Sequence, residues 1–241
     1  MLFRSAKSFA AKARVKGQWR DIAIQVEEVN AKGDYVLDGG LPFTKGTDDG
    51  IVDGNDELVL DGAELGDDFT LADVANEDLK AAFGSWKVGV CRGEKRVGFA
   101  LVQSLRVDPK PFSAKAGAPA AVRFDEQKGE IVTDLYRYKF KESNPVLLGE
   151  VALKHDDREA PVIESSKFLM PLKTPFYLPN LTFQDQDLTS SIESWQVGPL
   201  RAIVAVGVKY TSFLSLFKLH LFSELVFYKK RFVIPTVIEF V

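Results

Sequence analysis

The sequence predicts a mainly β protein, an antiparallel β-sandwich with one short helix. Three observations predict it. Apolar residues recur at every second position through much of the chain, as half-buried strands require. Turns rich in glycine and charge separate these runs. Only one segment carries start and stop signals for a helix.

The first run is RDIAIQVEEV, where Ile22, Ile24 and Val26 share one face. GDYVLDGG follows as a short strand ending in a Gly-Gly turn. WKVGV and VGFALVQSLRV form a pair around the turn CRGEKR. GEIVTDLYRYKF alternates again and is enriched in strand formers. NPVLLGEVAL, AIVAVGVKY, FKLHLFSELVFY and FVIPTVIEFV continue the pattern to the end. The helix is expected over LADVANEDLKAAF, with Thr70 and Asp73 as a capping box and Gly84 as the residue past its end. DPKPFSAKAGAP has three prolines and reads as a linker. It divides the chain into an N-terminal β region with an acidic loop and short helix (1–107) and a C-terminal sandwich region (120–241), or it is one long loop within a single domain, 1–241.

Composition excludes several classes of function. A net charge of −3 gives no reason to expect a nucleic-acid partner, since phosphate binding needs a basic surface. Residues 34–80 are acidic, whereas the first twenty carry Arg4, Lys7, Lys12, Arg14, Lys16 and Arg20. Cys91 stands alone, so no internal disulfide framework or thiolate cluster is available. The opening MLFRSAKSFAAKARVKG has no apolar core and does not have the form of a secretory leader. The most apolar stretch, 202–241, is interrupted by Lys209, Lys218, His220, Glu224, Lys229, Lys230 and Arg231, so no transmembrane segment is expected. GxGxxG, P-loop and GxSxG signatures do not occur, which disfavours nucleotide chemistry and that form of nucleophilic hydrolysis.

The stretch KGTDDGIVDGND, from Lys45 to Asp56, packs four aspartates, an asparagine and three glycines into one segment. A calcium loop places oxygen ligands at positions 1, 3, 5, 7, 9 and 12, with glycine at 6. With Gly50 at position 6, Asp49 falls at 5, the Ile51 carbonyl at 7, Asp53 at 9 and Asp56 at 12. In its second half the stretch resembles the loop of dockerins and EF-hands. Its first half departs, because Lys45 and Thr47 occupy positions 1 and 3. The resemblance implies calcium as the cofactor, held by Asp48, Asp49, Asp53 and Asp56, with Asp38, Glu57, Asp67 or Asp68 as substitutes for the missing ligands. The same residues also make an acidic turn on backbone grounds alone.

The most distinctive segment is PFYLPNLTFQDQDLTSSIESWQVGPLR, from Pro175 to Arg201. Aromatic rings beside carboxylates are how sugar sites are commonly built, which makes Tyr177, Asp185, Asp187 and Trp195 candidate carbohydrate-binding residues. A long loop whose aromatics cap the core is the alternative. GPLRAIVAVGVKY and GGLPFTKG resemble short stretches of the galactose-mutarotase-like sandwiches of carbohydrate-active enzymes. That resemblance implies a sandwich and, as a second function, a polysaccharide lyase or hydrolase. His220 and Glu224 lie four apart in a strand and are the candidate acid–base pair for such an enzyme. His155 sits in the charged loop KHDDRE and is expected in solvent.

The leading expectation is a non-catalytic structural or binding protein of the bacterial envelope or exterior, whether periplasmic, cell-surface or secreted. It is stabilised by calcium and self-assembling, as a homo-oligomer or within a larger assembly. A carbohydrate-active enzyme and an accessory subunit of a larger complex are the alternatives.

Overall fold

The structure is a computed structural model. It describes residues 9–30, 33–37, 39–40, 52, 54–74, 82–105, 121–156, 158–167, 169–172, 181–211 and 218–234. Antiparallel sheets dominate it, and it holds no helix of seven or more residues among those described. The chain falls into two compact units, Met1–Val36 with Thr44–Ala120 and Leu37–Phe43 with Ala121–Val241.

The first unit contains β1 (Phe9–Val15), β2 (Gln18–Ile22), β3 (Ile24–Glu27), β5 (Glu57–Leu60), β6 (Ala82–Arg92) and β7 (Lys95–Leu105). The order β2-β1-β7-β6 makes a four-stranded sheet, and β3 pairs with β5 as a ribbon. The run 20–29 is thus two strands broken at Ala23 rather than one. β1 and β2 are joined by Lys16 and Gly17, both at positive φ (51° and 81°). Two such residues form the turn whose twist suits a tight hairpin. From Gly98 to Ser104, β7 is buried on both faces. Ala100 and Val102 pack with Phe9, Ala11, Ala13, Ile22 and Val26, while Phe99 and Leu101 pack with Phe69 and Val74.

β1 and β7 pair only from Phe9↔Ser104 to Lys12↔Leu101. Where that pairing ends, Gly66 and Asp67 bridge the two strands. Gly66 exchanges both backbone hydrogen bonds with Phe99 (2.9 and 3.0 Å), and the Asp67 N–H donates to the Arg14 carbonyl (2.6 Å). Any side chain at position 66 would overlap the Arg14 backbone. Glycine is required here by close approach, not by its φ.

The start of the expected helix, Leu71–Asp73, is a 3-10 turn. Its cap is present, since the Asp73 carboxylate accepts from the Thr70 N–H (2.6 Å). Ala82, Phe83 and Gly84 lie in β6, so Gly84 does not end a helix; residues 75–81 lie outside the described part. The Trp86 ring sits over Gly84, and the Phe99 ring lies against Gly89 across the pair. Large rings covering bare backbone let glycine persist inside a strand.

The second unit is a sandwich of two meanders. One sheet has the order β12-β11-β10-β9-β8, built from β8 (Val122–Asp125), β9 (Glu130–Thr133), β10 (Tyr136–Phe140), β11 (Leu148–His155) and β12 (Arg158–Ile163). The other has the order β18-β17-β16-β15-β4, built from β4 (Gly39–Gly40), β15 (Leu188–Val197), β16 (Arg201–Thr211), β17 (Lys218–Tyr228) and β18 (Phe232–Val233). A separate ribbon joins β13 (Leu169–Leu172) to β14 (Leu181–Gln184). Two readings are corrected here. GEIVTDLYRYKF is a hairpin, folded by Thr133, whose hydroxyl accepts from the Tyr136 N–H at 2.9 Å. Gly39-Gly40 is not a turn but an edge strand on Ser194 and Trp195.

The core between the sheets joins Val122, Ile131, Tyr136, Tyr138, Phe140 and Val151 to Ala202, Val204, Val206, Leu225 and Phe227. Tyr138 is its centre. Its ring meets Phe227, Phe140 and Phe232 edge-on, with centroids 4.9, 5.0 and 5.2 Å away. Its hydroxyl is buried with no hydrogen-bond partner, and burial raises its pKa. Tyr136, by contrast, donates to the Tyr228 carbonyl (2.7 Å). On the outer face Arg137 bonds Glu150 (2.7 Å), Glu159 (3.0 Å) and Glu130 (3.4 Å), tying three neighbouring strands to its own.

Two substitutions test this packing by chemical denaturation. Gly66→Ala is expected to cost about 2–3 kcal/mol, because the neighbour it meets is backbone and cannot rotate away. Tyr138→Phe is expected to leave stability unchanged or raise it by about 1 kcal/mol, since it removes a buried hydroxyl that gains no hydrogen bond.

Candidate functional site

The segment read as a sugar-binding loop is largely a strand. Leu188, Ile192 and Trp195 face the core from β15, and an irregularity at Glu193 shifts the alternation by one. Glu193 lies over Gly207 of β16, where any Cβ would overlap it. Before the strand comes a 3-10 turn, Asp185–Asp187, closed by the Asp187 carboxylate accepting from the Gln184 N–H (2.9 Å).

Asn144 was missed in the sequence and organises this end of the sandwich. It is buried, and its amide donates toward the Asp185 and Leu188 carbonyls (3.3 and 3.2 Å). The Ser190 hydroxyl donates to its Oδ1 and accepts from the Val146 N–H at 2.9 Å. The Asp185 carboxylate stands 3.6 Å from Lys141 Nζ. The only sequence signal is Asn-Pro before a strand, which reads as an ordinary turn.

Among the described candidate sugar residues, Asp185 and Asp187 share one turn, and Trp195 stands apart from them. Trp195 pairs with Val204 and packs its ring against Phe124 at 5.5 Å, half-buried beside the core. Asp187 precedes the opposite end of the same strand, about 25 Å away at the rise of an extended chain. The His220 backbone pairs with Lys209, which itself pairs with Thr189. Glu224 pairs with Ala205, beside Ser194. His220 therefore falls in the row near Asp187, and Glu224 falls near Trp195, about 13 Å further along β17. Tyr177 lies outside the described residues. His155 is in solvent beside Asp156 (3.1 Å), and Cys91 is exposed.

Of the four candidate calcium ligands, Asp48, Asp49 and Asp53 lie outside the described residues, as does Asp38. Asp56 is placed. Its carboxylate accepts from the Val29 N–H (2.9 Å), and the Asn55 amide donates to the Val29 carbonyl. The acidic residues that follow are engaged in the same way. Glu57 accepts from the Tyr35 hydroxyl (2.9 Å), Asp61 from the Ala63 N–H (2.9 Å), Glu64 from the Ala23 N–H (3.1 Å) and Asp67 from the Lys16 N–H (2.9 Å). Asp68 accepts from the Phe69 N–H (2.8 Å) and pairs with Lys87. The Lys87 bond holds the Asp68 pKa down, and the Thr70 N–H does the same for Asp73. Among the described residues, no group of three or more His, Cys, Asp or Glu is placed to hold a metal.

Chemically, these side chains are acceptors for main-chain N–H groups and partners in ion pairs. Glu57 differs in accepting from a side-chain hydroxyl. Comparison of the chain with protein-family models, with curated proteins and with solved structures finds no match.

The position of Asp56 predicts the effect of removing it. Asp56→Ala is expected to lower the melting temperature by several degrees, to the same extent in chelator and in millimolar calcium, because it frees the Val29 N–H. A loss seen only with calcium would assign the carboxylate to a cation instead.

Proposed function

We propose that the chain is a non-catalytic structural or binding protein that works by assembling with other protein chains. The observation that carries this reading is where large apolar side chains stand in solvent. Trp86, on the end strand β6, is 38% exposed. Leu153, Val162 and Ile163, on the adjoining strands β11 and β12, are 50%, 53% and 41% exposed. Scattered exposed apolar residues are ordinary, but neighbouring ones on outer strands mark protein contact surfaces.

The engagement of the acidic side chains supports the same reading. Carboxylates that hold main-chain N–H groups are parts of a scaffold, whereas a catalytic centre needs acid and base within reach of one reacting atom. An envelope or exterior setting goes with a scaffold of this kind, where assembly is the function.

Light scattering coupled to size exclusion tests the proposal. At micromolar concentrations the expected mass is a multiple of 26.8 kDa, or the chain retains a partner protein. A mass of one chain throughout, with no partner retained, would overturn it.

A further inference from the structure

The strands that end the sheets differ in how they are protected. An end strand offers unpaired backbone to any other chain, and folded proteins block it with proline, charge, bulges or shortness. β12 carries Pro161, Arg158, Glu159 and an irregularity where it pairs with Val151 and Ala152. β2 has five residues, with Arg20 and Asp21 exposed, and β8 has four, with Arg123 exposed. β4 and β18 have two residues each.

β6 is different. It runs for eleven residues without proline; its pairing with β7 is irregular at Ala82/Gly84 and at Val90/Cys91, and between these points Gly84–Val90 keeps an unbroken register. Its one charge before Arg92 is Lys87. That charge is paired with Asp68 and lies over the Phe99 and Phe69 rings, 4.5 and 5.4 Å from their centroids. Among the described residues no strand pairs with the outer edge of β6.

We propose that β6 joins two copies of this chain, antiparallel about a two-fold axis at Val88, into one continuous sheet. The inference rests on the assembly reading and names its partner and register. Residues directly opposite in an antiparallel pair share a face, so the axis must pass through a residue rather than between two. An axis at Lys87 would set two lysines opposite each other, a destabilising pair. An axis at Trp86 would set Val88 against Gly84. With the axis at Val88, that residue meets its own copy and Trp86 meets the second copy's Val90. Lys87 meets Gly89, and Ser85 meets Cys91. One face then presents an aromatic ring against β-branched side chains, the favourable cross-strand combination. The other keeps the lysines apart. The strand is complementary to itself in this register, which is why the occupant is a second copy.

Gly89 provides the test, because it is exposed and would face the second copy's Lys87 twice across the axis. Gly89→Lys and Gly89→Glu place the same Cβ against Phe99, so both carry the same packing cost. The dimer dissociation constant of the lysine variant is expected to exceed that of the glutamate variant by about tenfold at low salt. In a Cys91→Ser background, Val88→Cys is expected to cross-link two copies on mild oxidation, and Gly89→Cys is not. Multimers that persist with equal constants for the two Gly89 variants and no Val88→Cys cross-link would overturn the β6 interface and leave the assembly reading standing. A chain that stays monomeric in every form would overturn both.

Discussion

The second unit depends on β16 being buried on both faces. From Arg201 to Val208 every residue is buried, so every backbone N–H and C=O along that stretch must find its partner in a neighbouring strand. β15 and β17 supply those partners over nearly its whole length. A slip of β16 by one residue would exchange Ala202, Val204 and Val206, which pack in the core, for Ile203, Ala205 and Gly207 of its other face. That register carries Trp195 into contact with Phe124 and leaves Asp187 at the far end of β15. The distribution of polar residues across this sheet follows from the burial of one strand.

The first unit solves the same problem with less apolar bulk. Five of its buried positions, Ala10, Ala11, Ala13, Ala82 and Ala100, are alanines. Main-chain groups that a deeper core would align are aligned here by side chains. Asp67 holds the hairpin turn at Lys16, Glu64 holds Ala23, and Asp56 holds Val29. An exposed hydrogen bond to a carboxylate contributes modestly, but these bonds link residues 27 to 51 positions apart in sequence. Gly66 lies within this acidic stretch because a side chain there would keep the loop from reaching β7. The acidity of 34–80 is, in its described part, a property of the fold before it is a property of a site.

Both units then face the question of how a sheet ends. In the second unit the end strands are short, or broken by proline and charge. The first unit leaves β6 long and apolar on one face, with its lysine drawn onto aromatic rings. A protein that guards one edge and not another distinguishes the two. This asymmetry ties the assembly reading to a particular strand.

The sequence by itself determined which segments form strands wherever inward residues are bulky and strictly alternate. β3 and β17 are legible for that reason, β7 and β16 are legible as continuous apolar runs, and the β6–β7 turn follows from CRGEKR. β1 was not legible, because its inward residues after Phe9 are alanines and carry little apolar signal. β15 was hidden because the irregularity at Glu193 puts Ile192 and Trp195 three apart. Ala82 and Gly84, expected at the end of a helix, lie in an eleven-residue strand, where pairing with β7 outweighs weak local helix signals. Asp187 and Trp195 are close in sequence, yet the strand β15 separates them, since an extended chain rises about 3.3 Å per residue. Only the tertiary structure decided that the acidic residues hold backbone and that Asn144, between β10 and β11, binds the start of β15. Local sequence names a side chain's chemistry, whereas its partners come from segments tens of residues away.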